Sequence, residues 1–205
     1  MSTTFDPPAE AAAAAPVDWD RASRDNVPGQ PDIWLFVLFE TLVFAGYFGF
    51  YLYNRPRHPG AYLAAQQELH LPLGIVETLT LLTSSLLIAR SVEAARSQQW
   101  NTALRNAYAT ASCGVLFLTL KVIEWISEAR AGNTPISNEF FSYYYFLTGL
   151  HLLHLLIGFA FLGVLVHRLR GPAARSREVI ETCGVYWHTV DYLWVLIFAL
   201  LYVVR

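Results

Sequence analysis

The sequence predicts an all-α integral membrane protein, built as a bundle of five transmembrane helices. Of its 205 residues, 55% are hydrophobic and only 15% are charged, whereas about a quarter of the residues in a typical soluble domain are charged. Five apolar runs are long enough to cross a bilayer, which takes roughly 20 residues. Each run is predicted to be helical, because backbone groups in lipid must be hydrogen-bonded within their own segment.

The five predicted spans are residues 33–53, 71–89, 104–126, 143–166 and 183–204, and we place them in one domain, residues 32–205. The first span follows a Pro-Gly pair, which predicts a turn. The second and fifth are apolar runs with isolated polar residues, and the fourth is the most uniformly apolar. The third is the least hydrophobic, because Arg105 and Asn106 lie at its start and Lys121 and Glu124 lie near its end.

Residues 1–31 differ in composition from the rest of the chain and are rich in Ala, Pro and Asp. This segment has neither the basic start nor the apolar core that signal peptides have. Its composition is typical of segments that do not bury a core. We therefore interpret it as a flexible cytoplasmic tail that leads through the Pro-Gly turn into the first span.

Charge and cysteine content exclude two further classes of protein. The formal net charge is -2, which leaves no electrostatic footprint for nucleic acid. Cys113 and Cys183 each lie within an apolar run. This placement argues against a disulfide framework and is typical of buried thiols.

The distribution of arginine predicts the direction in which the chain crosses the membrane, because basic residues concentrate in cytoplasmic loops. With a cytoplasmic N-terminus, nine arginines fall in inner segments and four in outer ones. The inner nine are Arg21, Arg24, Arg90, Arg96, Arg105, Arg168, Arg170, Arg175 and Arg177, and the outer four are Arg55, Arg57, Arg130 and Arg205. This asymmetry predicts a cytoplasmic N-terminus and an external C-terminus.

Ionisable side chains occur in every predicted span, where they are costly to bury and are functional by default. They are Glu40, Glu77, Lys121, Glu124, His151, His154, His188 and Asp191. Residues three apart are neighbours on a helix surface, so Lys121 and Glu124 are predicted to form an ion pair. The same spacing predicts that the carboxylate of Asp191 orients the imidazole of His188.

The histidines of the fourth and fifth spans admit three interpretations. They are structural hydrogen-bond partners that hold helices together, ligands of a redox centre such as a bis-histidine haem b, or members of a proton path. The His151–His154 spacing lacks the glutamate of the HExxH zinc motif. His188 is predicted at a different depth from His154, which does not favour a shared iron. The residues alone leave all three interpretations open.

Small residues form two patches within the predicted spans, and small residues let transmembrane helices approach closely. The patches indicate either packing inside the bundle or a docking face for another membrane subunit, and the sequence supports both equally. The first span carries Ala45, Gly46 and Gly49, and the fourth carries Thr148, Gly149 and Gly158.

Five motifs follow one another along the spans. They are FETLVFAGYFGFY (39–51), VETLTLLTSSLLIA (76–89), GVLFLTLKVIEW (114–125), FLTGLHLLHLLIG (146–158) and YWHTVDYLWVLIFALLYV (186–203). In this order they resemble subunit III of the haem–copper oxidases over residues 31–205. The last two motifs are the most diagnostic of the family. The fourth motif contributes the block from Thr148 to Gly158, and the fifth contributes His188 and Asp191.

This resemblance implies a non-catalytic accessory subunit of a cytochrome c oxidase type respiratory complex in a bacterial plasma membrane. Subunit III of that family has no haem or copper, which lie in the partner subunits I and II. It packs against subunit I, binds membrane lipids, and supports proton uptake during aerobic electron transport. By resemblance, His151, His154, His188 and Asp191 are hydrogen-bonding residues, and Glu40 matches the family's buried, carbodiimide-reactive carboxyl.

The sequence departs from the family pattern in its number of helices. Many members of the family have seven helices, and the first two of these form one arm of a V-shaped, lipid-filled cleft. A chain with five helices does not complete this cleft. Short forms also accompany nitric oxide reductases, and VPGQPDIW (27–34) resembles that branch, so an accessory protein of a nitric oxide reductase is an alternative. A stand-alone b-type cytochrome that uses His151, His154 and His188 is a second alternative.

Overall fold

The structure is a computed structural model that describes residues 28–171 and 175–204, and the regular structure among them is helical. The helices are α1 (Pro31–Asn54), α2 (Pro59–Glu68), α3 (Leu71–Arg96), α4 (Trp100–Arg130), α5 (Glu139–Arg170) and α6 (Arg177–Phe198). A 3₁₀ turn, Arg55–Arg57, joins α1 to α2, and a π-helical segment, Ala199–Val203, continues α6.

Five helices within the described residues are long and apolar enough to cross a membrane, namely α1, α3, α4, α5 and α6 with its π-helical segment. This confirms the predicted five-helix membrane bundle. The helices extend past the predicted spans, and α5 has 32 residues, about 48 Å at the usual helical rise. The apolar runs mark only the hydrocarbon core, which is about 30 Å thick, whereas the backbone hydrogen bonding continues into the polar interface.

Helix α2 is an additional element that the hydropathy of the sequence does not reveal. Its inner face buries Tyr62, Ala65 and Gln66, and the side-chain amide of Gln66 donates a hydrogen bond of 2.8 Å to the carbonyl oxygen of Val204. Burial raises the pKa of the Tyr62 phenol well above its ordinary value. Helix α2 therefore covers the end of the bundle at which α6 terminates.

Helix α6 occupies the centre of the bundle and packs against α1, α3 and α5, while α3 also packs along α4. Its buried face carries Trp187 and Trp194, which are fully buried. The indole N–H of Trp187 donates to Ser84 at 2.8 Å, and that of Trp194 donates to Thr78 at 3.1 Å. Both hydrogen bonds join α6 to α3 inside the bundle.

Helix α1 lies at the edge of the bundle and leaves most of its surface exposed. Leu35, Phe39, Leu42 and Phe50 are each more than 60% exposed. In a membrane this face contacts lipid or another membrane subunit. The contacts that hold α1 come from α6 and from the side of α5 that carries His154.

The Pro-Gly turn before α1 is confirmed, since Gly29 has a φ of 83°, a left-handed conformation that glycine adopts without strain. The backbone N–H of Gln30 donates to the hydroxyl of Thr182 at 2.9 Å, and the indole of Trp34 donates to the carbonyl of Pro28 at 3.0 Å. These contacts fix the start of α1 against α6. Residues 1–27 of the predicted tail lie outside the described residues.

Candidate functional site

The largest buried polar cluster joins α3, α4 and the end of α6, and we call its members Glu77, Lys121, Glu124 and Tyr202 the lysine quartet. The ammonium of Lys121 lies 2.7 Å from a carboxylate oxygen of Glu77, and it also pairs with Glu124. The predicted Lys121–Glu124 ion pair is therefore confirmed. The hydroxyl of Tyr202 lies 3.1 Å from the ammonium and 2.8 Å from Glu124 Oε1.

Aromatic rings enclose the lysine quartet. The side chains of Glu77, Lys121 and Glu124 are fully buried, and Tyr202 is 3% exposed. The ammonium lies 4.5 Å from the ring centroid of Trp194, within the range of a cation–π interaction. This enclosure places the cluster in a low-dielectric interior, where a charge needs a nearby partner.

Tyr202 reaches the quartet through two features of the backbone. It lies in the π-helical segment, and such segments change the direction in which a side chain leaves the helix. A Cβ atom at Gly74 would lie 2.9 Å from the Tyr202 ring, so glycine makes the close approach of α3 to this ring possible. This role of Tyr202 was not predicted, because a tyrosine near the end of a span is typical of an interfacial aromatic.

A second polar site joins α1 to α5 through Glu40 and His154. The Nε2 atom of His154 lies 2.9 Å from Glu40 Oε2, and the side chain of Glu40 is 13% exposed. Its Nδ1 atom lies 2.8 Å from the carbonyl oxygen of Leu150. A carbonyl only accepts hydrogen bonds, so Nδ1 carries a hydrogen. The Glu40–His154 contact then holds one shared proton, carried either by the carboxyl group or by Nε2.

A third polar site joins α6 to α3, and here the predicted His188–Asp191 pair is wrong. The Nδ1 atom of His188 lies 2.7 Å from the hydroxyl of Ser85. The carboxyl of Asp191 is buried and has no hydrogen-bond partner among the residues that the structure describes. Residues three apart on a helix are offset by about 60° around its axis, and here the imidazole of His188 bonds to Ser85 of α3 rather than to the carboxyl of Asp191.

His151 is fully buried between aromatic rings. Its ring centroid lies 5.6 Å from that of Phe117 and 5.1 Å from that of Trp194. Neither ring nitrogen has a hydrogen-bond partner within the described part of the chain. The structure thus separates the three histidines: His151 lies among rings, His154 contacts α1, and His188 contacts α3.

The described residues contain no group of three or more His, Cys, Asp or Glu side chains that could hold a metal ion. The histidine pair of the fourth predicted span shares one helix, yet its members contact different surroundings. The expectation that both are hydrogen-bonding residues holds for His154, which contacts Glu40 and Leu150, and is wrong for His151, whose ring nitrogens have no hydrogen-bond partner among the described residues.

The two small-residue patches have different environments. A Cβ atom at Gly158 would lie 3.3 Å from Trp187, and one at Gly149 would lie 3.5 Å from Trp125. The hydroxyl of Thr148 accepts a hydrogen bond from the Trp125 indole at 3.2 Å. The α5 patch therefore packs inside the bundle. On α1, Cβ atoms at Gly46 and Gly49 would meet nothing within 4 Å, so this patch faces outward.

An ion cluster at the opposite end of the bundle from α2 was not predicted. Glu181 is 7% exposed and contacts Arg96 at 3.0 Å and Arg177 at 2.7 Å. The backbone N–H of Gly29 donates to the same carboxylate at 3.3 Å. The only signal in the sequence was the density of arginine before the fifth span, which served to predict topology.

The fold and these sites define a multi-pass helical membrane protein whose buried ionisable groups are mainly bonded to one another. A family model described as cytochrome c oxidase subunit III matches residues 30–204. The chain belongs to the cytochrome c oxidase subunit III family, and it is an accessory subunit of a haem–copper oxidase, associated with other oxidase subunits.

Similar proteins cover most of the chain. Cytochrome c oxidase subunit 3 of Synechocystis sp. is 33% identical over 183 residues, which are 85% of this chain and 77% of that protein. The subunit 3 of Thermostichus vulcanus is 30% identical over 187 residues, 87% of this chain and 91% of that protein. A heme-copper oxidase subunit I+III of Aeropyrum pernix is 26% identical over 180 residues, 84% of this chain and 22% of that protein.

Proposed function

We propose that this chain packs against subunit I of a cytochrome c oxidase type complex and supports its proton uptake and turnover, without holding a redox centre of its own. The haem and copper then lie in the partner subunits I and II. The observation that carries this proposal is the family match over residues 30–204, together with histidines that lie at three separate places in the bundle.

Two further observations support the proposed partner. The relative from Aeropyrum pernix is named as subunit I+III, so that in that protein the two subunits belong to one chain. Helix α1 exposes an apolar face with Gly46 and Gly49 at its surface. Small residues allow a close helix–helix approach, so this face is a suitable contact surface for a membrane partner or for lipid.

The proposed location is the plasma membrane of a bacterium, with the N-terminus in the cytoplasm and the C-terminus outside. The structure brings Arg90, Arg96, Arg168 and Arg177 to the bundle end opposite α2, because α3 and α5 end there and α6 begins there. Arg55 and Arg57 lie near α2. Basic residues prefer the cytoplasmic side, which supports this orientation.

The test is to tag the chain, purify it from its native membrane in mild detergent, and record a reduced-minus-oxidised spectrum. We expect an a-type haem signal in the purified complex, and no haem signal after the chain is separated from its partners. Only b- and c-type signals from the complex would favour a nitric oxide reductase partner. Haem that stays with the separated chain would overturn the proposal in favour of a membrane cytochrome.

A further inference from the structure

The lysine quartet has an unequal number of positive and negative groups. Lys121 is the single cation, whereas Glu77 and Glu124 are two acids, and all three side chains are fully buried. The other titratable groups that face it are Tyr144 and His151 from α5 and the quartet's own Tyr202, which contribute no positive charge as neutral groups. If both acids were ionised, the cluster would carry one uncompensated negative charge away from water.

An isolated buried charge is far more costly than a buried neutral group, and a carboxyl group in such a place binds a proton instead. We propose that the quartet is a proton-binding site that holds one proton on Glu77 and exchanges it with the aqueous phase on the α2 side through Tyr202. With Lys121 charged, Glu124 ionised and Glu77 protonated, the cluster is neutral.

The hydrogen-bond geometry distinguishes the two acids. Glu124 contacts both the Lys121 ammonium and the Tyr202 hydroxyl, with 2.8 and 2.9 Å between that hydroxyl and the two oxygens of Glu124. Glu77 contacts only Lys121, at 2.7 Å, and neither of its oxygens has an aligned hydrogen-bond partner among the described residues. Donors stabilise the ionised form of a carboxyl, so Glu124 is the carboxylate and Glu77 holds the proton.

The exchange route follows from the position of Tyr202. Its ring lines a cavity of about 210 Å³ whose walls include Gln66, Gln67 and His70. Glu68, the last residue of α2, and His70, just before α3, are exposed, so the cavity opens at that end of the bundle. The Tyr202 hydroxyl reaches from this wall to Glu124 and Lys121. A proton from water binds the Tyr202 oxygen while the hydroxyl proton moves to Glu124. The Lys121 ammonium, which contacts both carboxyl groups, then donates a proton to Glu77 and receives one from Glu124, so that Tyr202 and Lys121 end unchanged.

The test is infrared spectroscopy of the purified complex, in which a protonated carboxyl group has its own C=O stretching band that shifts in D₂O. In Glu77→Gln we expect the loss of one such carboxyl. In Glu124→Gln we also expect the loss of one, because Lys121 and an ionised Glu77 then form a neutral pair. In Lys121→Met we expect the gain of one, because both acids are then protonated. Glu93→Gln, at a side chain 70% exposed, is the control and leaves the band unchanged.

A Glu77→Gln spectrum identical to that of the parent complex would overturn the assignment, and so would a Lys121→Met spectrum without a gain. The haem spectrum of each preparation shows whether the chain has assembled with its partners. If Glu77→Gln does not accumulate, the Glu124→Gln and Lys121→Met variants still test the number of protons that the quartet holds. This result does not depend on which subunit the chain packs against.

The route is tested by the rate at which this band shifts after transfer into D₂O. In Tyr202→Phe we expect exchange slower by at least about tenfold, the lower end of the factor that corresponds to one lost hydrogen bond to a charged group. Tyr108→Phe, at an exposed tyrosine of the other bundle end, is the matched control. Equal exchange rates in Tyr202→Phe and the parent complex would exclude Tyr202 as the route.

Discussion

At the scale of single residues, exposure separates acids that otherwise look alike. Glu40, Glu77 and Glu124 all lie in apolar runs of the sequence. In the structure, the side chain of Glu40 is 13% exposed at the edge helix α1, whereas Glu77 and Glu124 are fully buried in the lysine quartet. A reagent that dissolves in lipid therefore reaches Glu40 first.

This difference predicts the site of modification by a hydrophobic carbodiimide, which reacts with carboxyl groups. We expect the parent chain to be labelled and Glu40→Leu to show only background labelling, as measured by mass spectrometry of the purified chain. The substitution also removes a polar group from the membrane, so insertion is preserved. Unreduced labelling of Glu40→Leu, with the label on Glu77 or Glu124, would show that burial does not protect these acids.

The pairing of His188 with Ser85 gives a second prediction. Loss of the Ser85 hydroxyl leaves the Nδ1 atom of the half-buried His188 without its partner, and a hydrogen bond of this kind contributes about 0.5–1.5 kcal/mol. A double-mutant cycle of Ser85→Ala and His188→Leu is expected to give a coupling energy of about 1 kcal/mol, within the range of hydrogen bonds between membrane helices. The measurement is unfolding of the purified chain in mixed micelles.

The matched cycle combines Asp191→Asn with His188→Leu. Because these two side chains do not bond to each other, their coupling energy is expected to be smaller than that of the Ser85–His188 cycle. A large coupling in this second cycle, and none in the first, would restore the pairing that the sequence spacing favoured.

At the scale of helices, the sequence predicts the membrane spans well and their contacts poorly. The long apolar runs identify α1, α3, α4, α5 and α6, because the bilayer fixes the length of a spanning helix. Helix α2 has no such constraint and was missed. Contacts between helices depend on rotation about each axis, which hydropathy does not report when a helix is apolar on every side.

The candidate site shows the same limit. The Lys121–Glu124 pair was predictable since both residues lie on one helix, at a spacing that brings them together. Glu77 and Tyr202 belong to other parts of the chain, and nothing in the sequence places them beside Lys121. The sequence did not indicate the partner of Glu40 either, because many relative rotations of α1 and α5 would place Glu40 away from His154.

Packing between helices predicts a difference between two glycines. A Cβ atom at Gly114 would lie 2.9 Å from Phe159 and 3.1 Å from Trp187, and the Trp187 ring is fully buried. We expect Gly114→Ala to destabilise the bundle by about 1–3 kcal/mol, as overpacked cores do. Gly46→Ala, where a Cβ meets nothing within 4 Å, is the control and is expected not to destabilise, because alanine favours the helix.

Unfolding of the purified chain measures this difference directly. If Gly46→Ala were as damaging as Gly114→Ala in the separated chain, the outward orientation of the α1 patch would be wrong. If it is harmless there but weakens recovery of the complex, the patch lies at a contact with another subunit.

At the scale of the whole molecule, the two ends of the bundle differ in charge and in covering. One end carries α2 and the cavity beside Tyr202. The other carries most of the arginines, which contact Glu181, Tyr108 and Trp100. In the proposed orientation the arginine-rich end is cytoplasmic, as the positive-inside rule favours, and the lysine quartet then lies nearer the external side.

Two cysteine substitutions test this orientation. Ile136 is 94% exposed between α4 and α5, and Ser97 is exposed between α3 and α4, at the opposite end. The native Cys113 and Cys183 lie within spans, so the parent chain is the unlabelled control. In intact cells, a membrane-impermeant maleimide is expected to label Ile136→Cys and not Ser97→Cys, which reacts only after the membrane is opened. The reverse pattern would place the N-terminus outside, and the lysine quartet would then exchange its proton with the cytoplasm.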